Sequence, residues 1–206
     1  MNVRSILFNQ RICSLGSSVT YGSASGGVSF VEMLAEATGC EAVKEAVSST
    51  TLVDVGPESY VSRMRGMDRS LPVRLLVCQL STNDAARGLP LGQPAGPKGT
   101  FTPDTVAGAL ETVIVEARNI WHCPAAFYTS PRYDSPSYGR MVELLLRIAD
   151  LWDVPVIDLW NDRAFNDIAP LNRARWMADP IHPTLEGYRE WWLPAMIRGI
   201  EDILKK

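Results

Sequence analysis

The sequence has 206 residues, of which 46% are hydrophobic and 21% are charged. Its acidic residues outnumber the basic ones by 23 to 20, so no nucleic acid partner is expected, because binding to phosphates depends on clusters of Lys and Arg. No apolar run approaches the ~18 residues of a membrane-spanning helix, and the apolar run near the N-terminus is too short for a signal peptide. We therefore expect a cytoplasmic protein that forms one globular domain over residues 1–206.

The first predicted elements are a strand, a helix and a second strand. Residues 12–15 form a short apolar run that is typical of a buried strand. Ser29 is followed three residues later by Glu32, which is the pattern of a capping box, so a helix is expected from there to Gly39. Residues 41–47 predict a weaker strand.

The strongest strand is predicted over residues 73–80. This segment is apolar at nearly every position, as in the interior strands of a parallel sheet. The segment 85–102 is rich in Gly and Pro and predicts a loop, which we expect to lie near the edge of the sheet that carries the active site. Thr102 and Pro103 match an N-cap followed by a proline in the first helical position, so a helix is expected from there to about residue 120.

The second half of the chain repeats this alternation. Strands are predicted over residues 125–129 and 154–158, with a helix over 137–152 between them. Residues 183–206 carry apolar side chains at helical spacing, and Pro194 is expected to start or kink that helix. Apolar strands that alternate with helices predict a three-layer α/β/α sandwich around a central, mainly parallel five-stranded sheet.

Polar residues follow two of the predicted strands, at the edge where open α/β sheets bind their ligands. Ser18 lies between Gly16 and Gly22 directly after the first strand. A serine on such a turn can reach a substrate carbonyl, although an ordinary Ser/Gly turn gives the same pattern. Asn83 follows the strongest strand, where its amide could stabilise a developing oxyanion or simply end the strand.

The sequence contains two histidines. His122 stands at the exit of a predicted helix, which favours a structural role at the helix C-terminus. His182 lies between Pro180 and Pro183, and Asp179 precedes it by three residues. A turn of that length can bring the carboxylate to the imidazole Nδ1 and leave Nε2 to accept a proton from a serine. An Asp-Pro turn before a helix is the alternative interpretation.

Taken together, these motifs resemble those of the GDSL-type or SGNH serine hydrolases. The family's first block, Gly-Asp-Ser followed by x-Thr-x-Gly, resembles residues 16–22. Its Gly-x-Asn-Asp block resembles residues 81–84, and its Asp-x-x-His-Pro block resembles residues 179–183. The three blocks occur in the family's order and extend over nearly the whole chain.

The resemblance implies a flavodoxin-like sandwich of the SGNH-hydrolase type and assigns a role to each motif. Ser18 would be the nucleophile, His182 the general base and acid, and Asp179 the carboxylate that orients the imidazole. The oxyanion hole would consist of the backbone N–H groups of Ser18 and Ser49 and the side-chain amide of Asn83. The implied reaction is acyl transfer from a small-molecule ester, which requires no metal or organic cofactor.

Three positions depart from the family's pattern. Ser17 replaces the usual Asp, and Ser49 and Ser81 stand where Gly is usual. A backbone N–H survives a change from Gly to Ser, but the added side chain could block its approach or demand an unfavourable φ. The sequence favours an esterase of small acyl groups, such as the O-acetyl esters of sugars. A weakened or inactive ligand-binding relative remains open, as does a thioesterase or lysophospholipase with the same triad.

Two further kinds of site are not expected. Residues 92–100 contain Gly and Lys but lack the spacing of a phosphate-binding loop, and two prolines remove N–H donors that phosphates would need. Asp179 and His182 have no additional ligands at metal-binding spacing. The cysteines form no C-x-x-C pair and are expected to be free; they are Cys13, Cys40, Cys78 and Cys123.

Overall fold

The computed structural model describes residues 5–206. At its centre lies a five-stranded sheet in the order β2-β1-β3-β4-β5, with every neighbouring pair of strands parallel. The predicted α/β/α sandwich with a parallel five-stranded sheet is therefore confirmed. The strands are β1 Arg11–Gly16, β2 Glu41–Ala46, β3 Leu75–Gln79, β4 Ala125–Tyr128 and β5 Val156–Ile157.

Helices cover both faces of this sheet. Within residues 5–206, none of them is long and apolar enough to cross a membrane. The helices are α1 Ser18–Tyr21, α2 Phe30–Thr38, α3 Tyr60–Gly66, α4 Thr82–Arg87, α5 Val106–Trp121, α6 Pro136–Trp152, α7 Arg163–Asn166, α8 Pro170–Trp176, α9 Leu185–Gly187 and α10 Leu193–Leu204. A 3₁₀ turn, Ser23–Ser25, follows α1, and a π-helical turn, Tyr188–Trp192, precedes α10.

The core is divided by the sheet into two apolar clusters. Successive side chains of a strand point to opposite faces, and β3 shows this alternation most clearly. Leu76 and Cys78 pack with the buried residues of α3, α5 and α6, whereas Leu75 and Val77 pack with those of α2 and α10. All four side chains are fully buried, so β3 is a central strand, as its apolar sequence predicts.

The predicted start and end of α2 are confirmed. The Ser29 hydroxyl accepts a hydrogen bond from the Val31 N–H, and the Glu32 carboxylate accepts one from the Ser29 N–H, which closes the capping box. Gly39 ends the helix with φ = 72°, a left-handed conformation that glycine adopts without steric cost.

The predicted start of α5 at Thr102 is wrong. The N-cap is Thr105, whose hydroxyl accepts from the Gly108 N–H. The Thr102 hydroxyl instead donates to Asp104. The Pro103 carbonyl accepts from the Asp54 N–H at 2.7 Å, so this turn is tied to another segment of the chain and does not begin the helical ladder.

The C-terminal segment is interrupted where one helical segment was predicted. Residues 183–206 form α9, the π-helical turn and α10 in succession. Pro194 lies in the first turn of α10, directly after the π-helical turn, so the predicted start there is confirmed. The last strand is also shorter than predicted, since β5 contains only two residues of the segment 154–158.

The Gly/Pro-rich segment 85–102 begins in the last turns of α4 and then packs along α5. Leu89 and Leu91 contact the core cluster on that face of the sheet. The backbone N–H groups of Ala95 and Gly96 donate to the carboxylate of Glu111 at 2.9 and 2.6 Å. Because Glu111 is fully buried in α5, the segment is held by an anchor inside the protein.

Candidate active site

The turn after β1 carries Ser18. We call residues 16–22 the serine turn. β1 ends at Gly16, and Ser18 is the first residue of α1, where the backbone N–H has no partner within the helix. A Cβ on Gly16 would lie 1.7 Å from Thr20 Oγ1 and 2.7 Å from Gln79 Oε1. Only glycine therefore fits at the start of this turn.

The loop between α8 and α9 brings a histidine and a carboxylate to Ser18. We call residues 178–184 the histidine loop. His182 Nε2 lies 2.8 Å from Ser18 Oγ, and His182 Nδ1 lies 2.7 Å from Asp179 Oδ2. With the Nδ1 proton donated to Asp179, Nε2 is free to accept from the Ser18 hydroxyl. The structure thus brings together the three residues that the sequence motifs single out.

The Asp179 carboxylate is held in its ionised form by hydrogen bonds. Its Oδ1 accepts from the N–H groups of Ile181 and His182 at 2.7 and 2.8 Å. Partial burial raises the pKa of Asp179, but these two bonds and the contact with the His182 side chain outweigh it, so the pKa lies below its ordinary value. The carboxylate is therefore charged at neutral pH and fixes one tautomer of the imidazole.

The histidine loop closes on itself. The Ala178 N–H donates to the His182 carbonyl at 2.9 Å, and Met177 forms an antiparallel bridge with Pro183. At its end, the Thr184 N–H donates to the Trp176 carbonyl at 2.8 Å. These bonds join residues close together in the sequence and set the internal shape of the loop.

Asn83 lies between the serine turn and the turn that follows β2. Its Nδ2 donates to the Thr50 carbonyl at 2.8 Å and to Ser17 Oγ at 3.2 Å. Ser49 precedes Thr50 and adopts φ = 65°, the left-handed conformation that costs a residue other than glycine about 1–2 kcal/mol. The structure thus brings Asn83 beside the residue preceding Ser18 and places Ser49 next to the carbonyl that Asn83 binds.

A cavity of about 350 Å³ borders the turn after β2. Its lining includes Ser48, Ser49 and Ser59, the apolar Val55 and Pro57, and the charged Glu58 and Arg87. This volume lies at the lower end of the range of small-molecule sites.

Two side chains that the sequence analysis missed hold α1 from both ends. Gln79, the last residue of β3, accepts from the N–H of Ser17 at 3.0 Å and from the Thr20 hydroxyl at 2.7 Å. Tyr188, in the π-helical turn, donates its hydroxyl to the Val19 carbonyl at 2.6 Å. For Gln79 the available sequence signal was a glutamine at the carboxyl end of an apolar strand. No sequence pattern indicated the role of Tyr188.

Asp84 stabilises the segment that leads from β2 to α3. Its fully buried carboxylate accepts from the N–H groups of Leu52 and Val53 at 2.8 and 2.9 Å. Burial raises the pKa of Asp84 above its ordinary value, although hydrogen bonds from Ser81 and the two amides oppose that shift. Ser81, one of the three departures from the family's pattern, is the N-cap of α4, and its hydroxyl accepts from the Asp84 N–H.

The remaining candidate ligands lie apart from one another. His122 is the C-cap of α5 with φ = 52°, which agrees with its interpretation as a residue at a helix end. Within residues 5–206, no group of three or more His, Cys, Asp or Glu side chains is arranged to hold a metal ion. All four cysteines are free and buried; burial is the main cause that raises the pKa of Cys13 to about 12 and that of Cys123 to about 11.

The chain is similar in sequence to one known protein family. The model of the GDSL-like lipase/acylhydrolase family matches residues 14–190. None of the curated proteins matches the chain.

Several solved structures share the fold. A protein from Lactobacillus plantarum is 19% identical with a TM-score of 0.75, over 96% of this chain and 97% of that one. A candidate lipolytic protein of the G-D-S-L family from Desulfitobacterium hafniense is 17% identical with a TM-score of 0.70, over 92% and 99%. A candidate arylesterase from Agrobacterium tumefaciens is 15% identical with a TM-score of 0.63, over 94% and 99%. At such identities the likeness establishes the fold alone.

Proposed function

Because the chain belongs to the GDSL-like lipase/acylhydrolase family, we propose that it is a serine hydrolase that cleaves carboxylic esters of small acyl groups, such as the O-acetyl esters of sugars. The observation that carries the proposal is the chain of two hydrogen bonds from Ser18 through His182 to Asp179, at 2.8 and 2.7 Å. Such a chain can activate a serine at neutral pH, because the imidazole accepts its proton during attack.

In the first half of the reaction, Ser18 Oγ attacks the ester carbonyl while His182 Nε2 takes its proton. The C–O bond to the alcohol then breaks, and the imidazolium returns that proton to the leaving oxygen. In the second half, water attacks the acyl-enzyme, His182 takes a proton from that water, and Ser18 leaves with the proton restored to Oγ. Asp179 stabilises the imidazolium in both halves and remains ionised.

The oxyanion of each tetrahedral intermediate would be bound by the N–H groups of Ser18 and Ser49 and by the amide of Asn83. In the structure Asn83 donates to two neutral acceptors, and its bond to Ser17 Oγ is the longer, at 3.2 Å. A charged acceptor forms the stronger hydrogen bond. We therefore expect the developing oxyanion to compete for the N–H that Asn83 gives to Ser17.

The three departures from the family's pattern do not argue against catalysis. Ser17 Oγ accepts from Asn83, and Ser81 caps α4, so both hydroxyl groups have structural partners. Ser49 adopts the left-handed conformation that a glycine would adopt at the same place. The small volume of the cavity beside Ser49, about 350 Å³, supports a small substrate group over a long acyl chain.

The test is a fluorophosphonate probe followed by measurement of the intact mass. We expect one adduct on the wild type and none on Ser18→Ala or His182→Ala. Ser70→Ala, which removes an exposed serine hydroxyl that donates to Asp68, is the matched control and should retain the adduct. A folded wild type that forms no adduct would contradict the proposal and favour a ligand-binding role.

A panel of p-nitrophenyl esters from acetyl to octanoyl, together with an acetylated sugar and a short-chain thioester, then tests the substrate class. We expect the highest kcat/KM with the acetyl esters. Rates that increase with chain length, or a preference for the thioester, would show that the substrate class is wrong even though the serine is activated.

A further inference from the structure

We propose that Gln79 is the positioning residue for the nucleophile: its side-chain oxygen caps α1 from the neighbouring strand and thereby holds Ser18 in the orientation for attack. This inference rests on the proposed function of Ser18.

The N-terminus of α1 lacks the cap that its sequence would supply. Ser17 is the N-cap residue, yet its side chain makes no capping hydrogen bond; its hydroxyl accepts from Asn83 instead. The first N–H groups of a helix need partners from outside the helix. Gln79 Oε1 provides one, since it accepts from the N–H groups of Ser17 and Thr20 at 3.0 and 3.3 Å.

These bonds fix the backbone on both sides of the reacting residue. Ser17 directly precedes Ser18, and Thr20 follows it by two positions. Neither bond engages the N–H of Ser18, which in the proposed mechanism binds the substrate oxygen. The capping function moves from Ser17 to Gln79, and the Ser17 hydroxyl is released to orient Asn83.

A buried side-chain network sets the position of the Gln79 oxygen. The Thr20 hydroxyl donates to Oε1 at 2.7 Å and lies 2.6 Å from the Tyr128 hydroxyl. Gln79, Thr20 and Tyr128 are all fully buried. The oxygen also occupies the space that a side chain on Gly16 would need, so the Gln79 side chain packs directly against the start of the serine turn.

Gln79 has one buried polar group without a partner among the described residues, which indicates that its role is to position the serine turn more than to stabilise the core. The Nε2 of Gln79 is buried without a hydrogen-bond partner in the described part of the chain. An unpaired buried donor is unfavourable, and the other residues of β3 that enter the core are apolar or cysteine. A leucine would avoid the unpaired donor but would leave the N–H groups of Ser17 and Thr20 without an acceptor.

The experiment compares Gln79→Leu, which removes the acceptor, with Gln79→Glu, which retains an oxygen and is expected to be neutral when buried. Thr112→Val, which removes a buried hydroxyl from α5, is the matched control. The readouts are the rate of fluorophosphonate labelling, kcat and KM on the best ester, and thermal unfolding.

We expect Gln79→Leu to lower the labelling rate and kcat about 100-fold, the size of effect that a small misplacement of a reacting group produces. KM should change less than about threefold, since the substrate-binding walls are untouched. Gln79→Glu should recover the rate to within about tenfold of the wild type, and Thr112→Val should label within about twofold of it. A purely structural role would not produce rescue by glutamate or the split between kcat and KM.

A folded Gln79→Leu protein with the wild-type labelling rate and kcat would overturn the inference. If Gln79→Leu does not fold, Thr20→Val and Thr20→Ser decide, because the Thr20 hydroxyl makes the shortest bond to Oε1. Slow labelling of the valine variant alone supports the inference, and equal rates of the two variants and the wild type overturn it. A wild type that is not labelled at all contradicts the proposed function instead.

Discussion

The serine turn and the histidine loop are held in place in different ways. The serine turn is fixed by side chains that are distant in sequence: Gln79 caps α1 from β3, and Tyr188 binds the Val19 carbonyl from the π-helical turn. The histidine loop is fixed by bonds within itself, chiefly those from the N–H groups of Ile181 and His182 to one carboxylate. The geometry of the serine therefore depends on the whole fold, whereas that of the histidine is encoded locally.

Burial follows the same division. Ser18 is 7% exposed, while the side chains of Asp179 and His182 are 48% and 25% exposed. A buried segment with many partners contributes to the stability of the protein, but an exposed loop contributes little. Changes in the histidine loop should thus reduce activity alone, and changes in the serine turn should reduce activity and stability together.

The largest expected effect on activity comes from the histidine loop. His182→Ala should lower kcat/KM for an acetyl ester by about 10⁴-fold or more, because it removes the group that accepts the serine proton. Asp179→Asn should have a smaller effect, a loss of about 10³-fold. Both variants should unfold in urea within about 1 kcal/mol of the wild type, because both side chains are partly exposed to solvent. If either variant loses several kcal/mol of unfolding free energy, the histidine loop is part of the folded core. The loop and the serine turn would then not differ in their contribution to stability.

An intermediate effect is expected at Gly16, which tests whether a change in the serine turn reduces activity and stability together. Gly16→Ala should lower the free energy of unfolding by about 1–3 kcal/mol, because its Cβ would overlap Thr20 and Gln79, and it should also slow fluorophosphonate labelling. Gly66→Ala is the control, since a Cβ there would have no neighbour within 4 Å. If both variants have wild-type stability and labelling rates, the serine turn is less tightly packed than the structure indicates.

The same contrast explains how much of the site the sequence could predict. The spacing of Asp179 and His182 indicated their contact, because a turn of three residues can bring the two side chains together, although an Asp-Pro turn before a helix was the alternative. The position of Ser18 at the sheet edge also followed from the apolar strand before it. The roles of Gln79 and Tyr188 did not follow, because each contacts α1 from a separate element, and no local pattern carries such a pairing.

The fold shows the same limit. The helix that begins after Ser29 was predicted correctly because its capping box is local. The start of α5 was predicted at Thr102 because a cap followed by a proline is a sound local signal, but the Pro103 carbonyl binds Asp54 and shifts the start to Thr105. Short helices such as α3, α4, α7 and α8 have at most seven residues, too few for a clear period, so tertiary packing decides whether they form.

The smallest expected effect concerns acid stability. The pKa of Asp179 is lowered on folding, so the ionised group contributes stability above its unfolded pKa of about 3.9, and that contribution is lost as the pH falls through the lower folded value. Asp84 has the opposite sign: because burial raises its pKa, its contribution is present below the unfolded pKa and is lost as the pH rises through the folded one. The pH dependence of stability that comes from Asp179 therefore reports on the histidine loop. The dependence that comes from Asp84 reports on the buried segment between β2 and α3.

Urea unfolding of the wild type and Asp179→Asn at several pH values isolates the exposed carboxylate. At about pH 5.5 the variant should be less stable by at most about 1 kcal/mol, because a half-exposed charge is screened by solvent. The difference should disappear as the pH falls through the lowered folded pKa of Asp179, below which the aspartic acid is as neutral as the asparagine. A difference that persists unchanged at the lower pH would mean that the bonds from Ile181 and His182 do not depend on the charge, and that shape alone holds the histidine loop.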